Sequence, residues 1–312
     1  MKVAVTGGSG FIGSHVVDHL MAAGHDVVVF DHRVRPHRPD VKFDDIDILH
    51  LSSLIAATRG FDAIFHLAAV SNVDYAYKYP VYTVDLNVLG TTKVMEAARI
   101  NGLKQVVFAS TVWVYTGARD NCRLTEDTPF YLADAGHVYT SSKIAAEMII
   151  HNFSKLYGQR MTILRYGIPF GPRMREELVI PIFVRRALTS QPLLIKGSGN
   201  QYRNYIYIDD LAGAHTLVLG NEKAFNQVYN LEGKEPVTIR QVAETIREIV
   251  GSKVRIEITE PRTGDYEGKI AIAEKARQEL GWSPTVDFRV GMERYIKWYA
   301  SNCLPQTASA GR

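Results

Sequence analysis

Cysteine is nearly absent: Cys122 and Cys303 are the only two among 312 residues, far apart and in no C-x-x-C spacing. That excludes a disulfide framework and a thiolate zinc site, and no metal is expected; it suits a reducing, cytoplasmic setting. No run approaches the eighteen or so apolar residues that a membrane span requires. Met1 leads within a few residues into a glycine-rich turn, so no signal peptide is expected either. An excess of one charge is also missing. The 36 basic and 33 acidic residues leave a formal charge of +3, too near balance for nucleic-acid or membrane binding by bulk electrostatics. A locally basic, phosphate-bearing site stays open. There is no internal repeat and no low-complexity linker, and 46% hydrophobic with 22% charged residues describes an ordinary globular chain. Its length allows one large domain or two smaller ones.

What the sequence does have is glycine in a telling place. "KVAVTGGSGFIGSHVVDHLMAAGHDVVVFD" reads as a β-branched strand, a glycine turn, an amphipathic helix stopped at Gly24, and a second apolar strand ending at Asp31. Gly8, Gly10 and Gly13 stand in G-x-G-x-x-G spacing, and Gly7, Gly10 and Gly13 in G-x-x-G-x-x-G spacing. Between a strand and a helix, such glycines let backbone approach a pyrophosphate held at the helix N-terminus, where unpaired N–H groups and the dipole favour negative charge. Asp31, 18 residues beyond Gly13, is placed to accept from an adenosine 2′-hydroxyl and to repel a 2′-phosphate. NAD is therefore favoured over NADP, although a displaced backbone would aim Arg33 or Arg35 at a phosphate.

Continuous apolar runs recur in "AIFHLAAV" and "QVVFAST", and shorter ones in "MTILRY" and "NQVYNL". Helical periodicity separates them at about residues 84–100, 141–157, 180–189, 239–250 and 274–280. Strands apolar on both faces and alternating with helices imply a parallel sheet covered on both sides. After Gly167 the rhythm loosens, and "PFGPRMREELVIP" and "EITEPRTGDYEGK" put Pro and Gly among charges, which predicts long surface loops and a second, smaller lobe. "YRNYIYIDDLAGAHTLVL" and "NQVYNL" still read as strand and helix of the main sheet, so the lobes are expected to interleave. The division is residues 1–166 with about 205–231 for the cofactor, 167–204 and 232–304 for the substrate, and a flexible tail at 305–312.

"VYTSSKIAAE" sets Tyr139 and Lys143 four residues apart, on one face at the start of a helix. With 16 tyrosines in the chain, about one Y-x-x-x-K arises by chance. Alone, the pair reads as chemistry or as a solvated helix face.

Taken together with the glycine turn, later segments resemble the extended short-chain dehydrogenase/reductase superfamily, in its nucleotide-sugar epimerase and dehydratase branch. The marks are "TGGSGFIG", "DDIDI", "FHLAA", "DLNVLGTTKVMEAA", "VVFASTVWVYTG", "YTSSK", "LRYGIPFGP", "GSGNQYRNYIYIDDLAGAH" and "PRTGDYEG…ARQELGWSP", in order from Val3 to about Tyr299. The resemblance implies an α/β, Rossmann-type doubly wound parallel sheet with a smaller, interleaved C-terminal α/β lobe. It assigns Gly7, Gly10, Phe11, Ile12, Gly13, Asp31, Asp45, Ile46, Leu67, Ala68, Ala69, Tyr139, Lys143 and Tyr166 to NAD, with Asn87 a structural or cofactor-side residue. Thr111 becomes the catalytic hydroxyl, Tyr139 the acid/base, and Lys143 the group that holds the nicotinamide ribose and tunes the tyrosine. Arg203 and Arg262 match two arginines that grip the diphosphate of a nucleotide-sugar. A homodimer is implied, built by the helices at about 84–100 and 141–157.

A free tyrosine has a pKa near 10, so a phenolate near neutrality needs roughly 4 kcal/mol of stabilisation. The Lys143 ammonium and a positive nicotinamide ring carry charge of the right sign. Family members that eliminate water or carbon dioxide carry acids after the catalytic Ser/Thr, whereas this chain reads Thr111-Val112-Trp113. Neither Val112 nor Trp113 can protonate a departing hydroxyl. The expectation is an NAD-dependent 4-epimerase of a nucleotide-sugar, UDP-hexose or UDP-hexuronate. The alternatives are a dehydratase, decarboxylase or ketoreductase, or a non-catalytic dinucleotide-binding scaffold. Three departures bear on the substrate. The branch often has Asn in "RYFN", but here Arg165-Tyr166-Gly167-Ile168 lacks the amide. Trp113 stacks on the sugar or fills the core. Lys269 meets a sugar carboxylate or is a solvated surface charge.

Overall fold

A computed structural model describes residues 1–118, 123–251, 254–260 and 268–304. Arg262, Cys122 and the tail at 305–312 lie outside the described residues. The chain opens with β1 (Lys2–Thr6), whose Val3, Ala4 and Val5 are wholly buried because both faces of the strand are covered. The glycine turn leads into α1 (Phe11–Ala22), then β2 (Asp26–Asp31), β3 (Lys42–Asp45), α2 (Leu51–Ala57) and β4 (Ala63–His66). Next come α3 (Val73–Lys78), α4 (Pro80–Val84), α5 (Thr91–Asn101), β5 (Gln105–Thr111), β6 (Arg123–Leu124) and α6 (Val138–Tyr157). The second half holds β7 (Met161–Tyr166), β8 (Ile168–Phe170), α7 (Val179–Leu188), β9 (Leu193–Lys196), β10 (Tyr202–Tyr207) and α8 (Ile208–Val218). It closes with β11 (Gln227–Leu231), β12 (Pro236–Thr238), α9 (Ile239–Val250), β13 (Ile256–Thr259), β14 (Ile270–Ala271), α10 (Glu274–Leu280) and α11 (Phe288–Asn302).

Seven strands form one parallel sheet in the order β11-β7-β5-β4-β1-β2-β3, the doubly wound arrangement expected. The winding reverses between β1 and β4, and at such a switch point a crevice opens beyond the carboxyl ends of the strands. Core lies on both faces: Val5, Phe65 and Leu164 belong to one apolar cluster, and Ala4, Ile64 and Ile163 to the other. Alternate residues of each strand thus point to opposite cores. This is why the strands read as unbroken apolar runs.

Two expectations need correction. The strand at 202–207 does not join the main sheet. It pairs with β8 and β12 in a separate three-stranded sheet, while α8, directly after it, returns to pack on α1. Its apolar content is that of a buried strand in either sheet; the partner is set by β8, which leaves the main sheet one residue after β7 ends. The helix expected at about 84–100 is also interrupted. A π-helical segment, Asp85–Gly90, separates α4 from α5. There Asn87 accepts from the Val70 N–H at 2.7 Å and donates to the Val70 carbonyl and Ser142 Oγ, both at 2.9 Å. Asn87 thereby ties this segment to the loop after β4 and to α6, a structural role.

Candidate active site

The glycine turn connects β1 to α1 at the switch point. Gly7 has φ +69° and lies so close to the chain after β4 that a Cβ on it would sit 2.7 Å from the Ala68 nitrogen. At Gly13 a Cβ would come within 2.1 Å of the Gly7 carbonyl oxygen. The turn therefore excludes side chains and offers bare backbone. Gly10 is the helix N-cap and forms no side-chain cap, so the first N–H groups of α1 stay open for an anion. Phe11 and Ile12 are partly buried against the core beneath. At the end of β2, Asp31 accepts from the Ser9 N–H at 3.3 Å, which sets its carboxylate beside the turn. Arg33 and Arg35 lie over the rings of Tyr82 and Phe43 instead, at 5.1 and 5.0 Å. Asp45 engages His32 at 3.0 Å, and the Ile46 N–H donates to the Asp31 carbonyl, so both stand next to the acid.

Behind Leu67, Ala68 and Ala69 runs a buried relay. Thr6 Oγ1 meets His66 Nδ1 at 2.8 Å, and His66 Nε2 meets Thr91 Oγ1 at 2.9 Å. The Ala68 N–H donates to the same Thr6 oxygen at 3.3 Å. Burial drives the His66 pKa down to about 3, so its ring is neutral. The relay fixes the backbone that faces Gly7.

Thr111 ends β5 and Tyr139 lies in the first turn of α6, where the threonine hydroxyl is near enough to favour the charged form of the phenol. Lys143 follows one turn later, only 4% exposed; its Nζ donates to the Ala109 carbonyl at 2.9 Å and lies 4.7 Å from the centre of the Phe108 ring. The three residues are brought together as expected, but the electrostatics differ. Burial raises the Tyr139 phenol to about 12, opposed by the Thr111 hydroxyl and the Arg175 charge. Burial lowers Lys143 to about 8, opposed by Glu147. The expected acidification of the phenol by Lys143 is therefore not met in the free chain. The ammonium is held by a backbone carbonyl of β5, and desolvation outweighs the remaining favourable charge.

Several functional side chains were not anticipated. Glu147, wholly buried, accepts from Arg165 at 2.7 Å and from Ser110 Oγ at 2.5 Å, while Arg165 also donates to the Tyr115 hydroxyl at 2.6 Å. This buried ion pair locks α6 to β5 and β7 directly behind Thr111, Tyr139 and Lys143. His137 caps α6 through Nδ1, and its ring centre lies 5.2 Å from that of Trp113 and 6.0 Å from that of Tyr139. Arg175 comes from a loop that reads simply as charged surface. Tyr166, assigned to the cofactor, ends β7 with its hydroxyl 2.6 Å from His215 Nε2.

Trp113, Arg203 and Lys269, all expected at the substrate, line one narrow cavity of about 30 Å³, together with Val112, Ile168 and Glu232. A wider cleft of about 650 Å³ lies next to it, and Asn204, Glu232 and Ala271 border both. Arg203 donates to the Tyr202 carbonyl at 2.6 Å, and Lys269 reaches the Ala118 carbonyl. Among the described residues no group of three or more His, Cys, Asp or Glu could hold a metal, and no helix is long and apolar enough to cross a membrane.

A side-chain-free turn at the switch point, an acid at the end of β2, and threonine, tyrosine and buried lysine at the end of β5 define a dehydrogenase-type site of the extended short-chain dehydrogenase/reductase class. The chain belongs to the NAD dependent epimerase/dehydratase family, whose model matches residues 3–231. It is 33% identical to a UDP-glucose 4-epimerase of Lacticaseibacillus casei, over 92% of this chain and 93% of that protein. Among solved structures it is similar to UDP-glucose 4-epimerase from Thermotoga maritima, with a TM-score of 0.89 and 29% identity, covering 96% and 99% of the two chains. It is as similar to a dTDP-glucose 4,6-dehydratase from Streptomyces venezuelae, with a TM-score of 0.88 and 29% identity over 97% and 98%. Its cofactor is NAD, and the bare Gly7–Gly13 cradle beside Asp31 fits that dinucleotide.

Proposed function

We propose that this protein is an NAD-dependent nucleotide-sugar 4-epimerase acting on a UDP-hexose or UDP-hexuronate. The observation that carries the reading is the meeting of Thr111, at the carboxyl end of β5, with Tyr139 in the first turn of α6, with Val112 and Trp113, neither of them an acid, following Thr111. In this reading the main sheet forms the cofactor lobe, and the elements around β8, β10 and β12 form the substrate lobe. Arg203 and Arg262 grip the diphosphate, and Trp113 and Lys269 face the sugar. The apolar residues left exposed on α6, Met148 and Leu156 among them, pair two copies into a dimer.

NAD, when bound, supplies the two-electron carrier for oxidation and re-reduction at C4 and a positive ring charge beside the phenol. Tyr139 removes the C4 hydroxyl proton and later returns it, while Thr111 hydrogen-bonds the same oxygen. With the phenol near 12 in the free chain, bringing it to neutrality requires on the order of 7 kcal/mol at 1.36 kcal/mol per unit, more than a free tyrosine would need. Lys143, poised near 8, holds the nicotinamide ribose and completes the positive environment. Turning the ketone within the pocket before re-reduction inverts the centre.

A dehydratase reading has one observation in its favour. His137 Nε2, next to Trp113 and Tyr139, is buried without a partner among the described residues and could protonate a departing hydroxyl. Burial depresses that ring's pKa, which favours the neutral form and weakens it as an acid. Mass-resolved product analysis over a panel of nucleotide-sugars separates the readings. Epimerisation conserves substrate mass and consumes no external cofactor; loss of water or carbon dioxide would overturn it.

A further inference from the structure

Glu232 is 3% exposed, and its Oε2 has no hydrogen-bond partner among the described residues. Asn204, 6% exposed, has an Oδ1 in the same condition. Interiors rarely leave such atoms unsatisfied unless something uses them. Both line the narrow cavity whose other walls are the apolar Val112, Trp113 and Ile168 and the basic Arg203 and Lys269.

Register ties this cavity to the chemistry. Thr111 pairs with Tyr166, and Tyr166 with Leu231, so Glu232 follows the residue that lies two strands across from Thr111, a separation of roughly 10 Å. Gly167 makes the room: a Cβ there would lie 2.1 Å from Glu232 Oε2. The departure at Gly167 and the unpartnered acid are thus two halves of one local arrangement. Of the two cavities that Glu232 borders, only the narrow one is also lined by Val112 and Trp113, next to Thr111. A volume of about 30 Å³ has room for a small polar group. Burial favours the uncharged acid, and only the Gly233 N–H opposes it. An uncharged carboxyl both donates and accepts, as a hydroxyl does.

We propose that Glu232, with Asn204, is a substrate-binding pair that receives one hydroxyl or hydroxymethyl group of the sugar. This rests on the nucleotide-sugar reading above.

The test is steady-state kinetics of the NAD-loaded full chain on UDP-glucose, UDP-N-acetylglucosamine and UDP-glucuronate, with thermal melts of each variant. Glu232→Leu should raise KM for UDP-glucose about tenfold with kcat within about twofold, because an interaction made equally in ground and transition states is lost. Its Tm should equal or exceed the native value, since an unsatisfied polar group has gone. Glu232→Gln should restore most of the KM, and Asn204→Ala should raise it should Glu232→Leu not fold. A KM that stays unchanged in folded variants, or a Tm that falls together with kcat, would assign Glu232 a structural role and overturn the proposal. Native protein that converts none of the three sugars would instead remove the parent reading, and the inference with it.

Discussion

At Tyr139 burial and charge pull in opposite directions. The phenol sits near the Thr111 hydroxyl and within reach of Arg175, yet desolvation holds it near 12. Free-chain Tyr139 is therefore a weak acid, and the basic form must be drawn out by the loaded site. Tyr139→Phe should lower kcat by about 10² to 10⁴ while leaving NAD affinity nearly unchanged, measured by turnover and by cofactor retention on a desalting column. The residues themselves were legible: Tyr139, Lys143 and Asp31 stand in telling spacings against strands and helices, and Thr111 followed from the family resemblance. Their electrostatics were not. Whether Lys143 faces the phenol or a carbonyl of β5 depends on rotamers and on what lies beneath the helix, and spacing carries neither. Gly167 stood out as a departure, but its meeting with Glu232 was hidden, because it depends on β7 and β11 lying side by side.

Among the elements, α6 does the most to place the site, and the Glu147–Arg165 pair holds it there. Both side chains are nearly inaccessible, at 0% and 4%. Breaking such a pair leaves an uncompensated buried charge and costs about 3–5 kcal/mol, whereas replacing both partners with apolar residues is close to neutral. Glu147→Gln should therefore lower stability in urea unfolding far more than the double substitution Glu147→Leu with Arg165→Met. Equal losses in single and double variants would assign the pair little coupling. Strands β1, β2, β4, β5 and β7 were readable because parallel strands are apolar on both faces. The sheet that takes β10 was not, since apolar content does not name a partner strand. Helix α11 went unnoticed although Phe288, Met292, Tyr295, Ile296 and Tyr299 are buried along one face. That stripe is aromatic-rich, and aromatics at helical spacing read weakly beside the β-preferring residues of the sheet.

For the whole molecule, two buried histidines set the response to acid. Burial lowers His66 to about 3 and His215 to about 4, from an ordinary 6.5. Below about pH 6.5 the unfolded chain takes up protons that the folded chain refuses. Stability fully present above that pH is therefore lost as pH falls toward 4. With two protons taken up on unfolding, the slope near pH 5 should be about 2.7 kcal/mol per pH unit from these two groups. Urea unfolding across that range checks it, and His66→Gln should remove about half of the slope.

The central claim is that bound NAD converts a buried, reluctant phenol at Tyr139 into a base. The most direct measurement is the ultraviolet phenolate titration of the native protein minus Tyr139→Phe, with and without NAD. The account predicts an apparent pKa near 12 in the free chain that falls toward neutrality when the dinucleotide is loaded. A phenol that stays near 12 with NAD in place would contradict it.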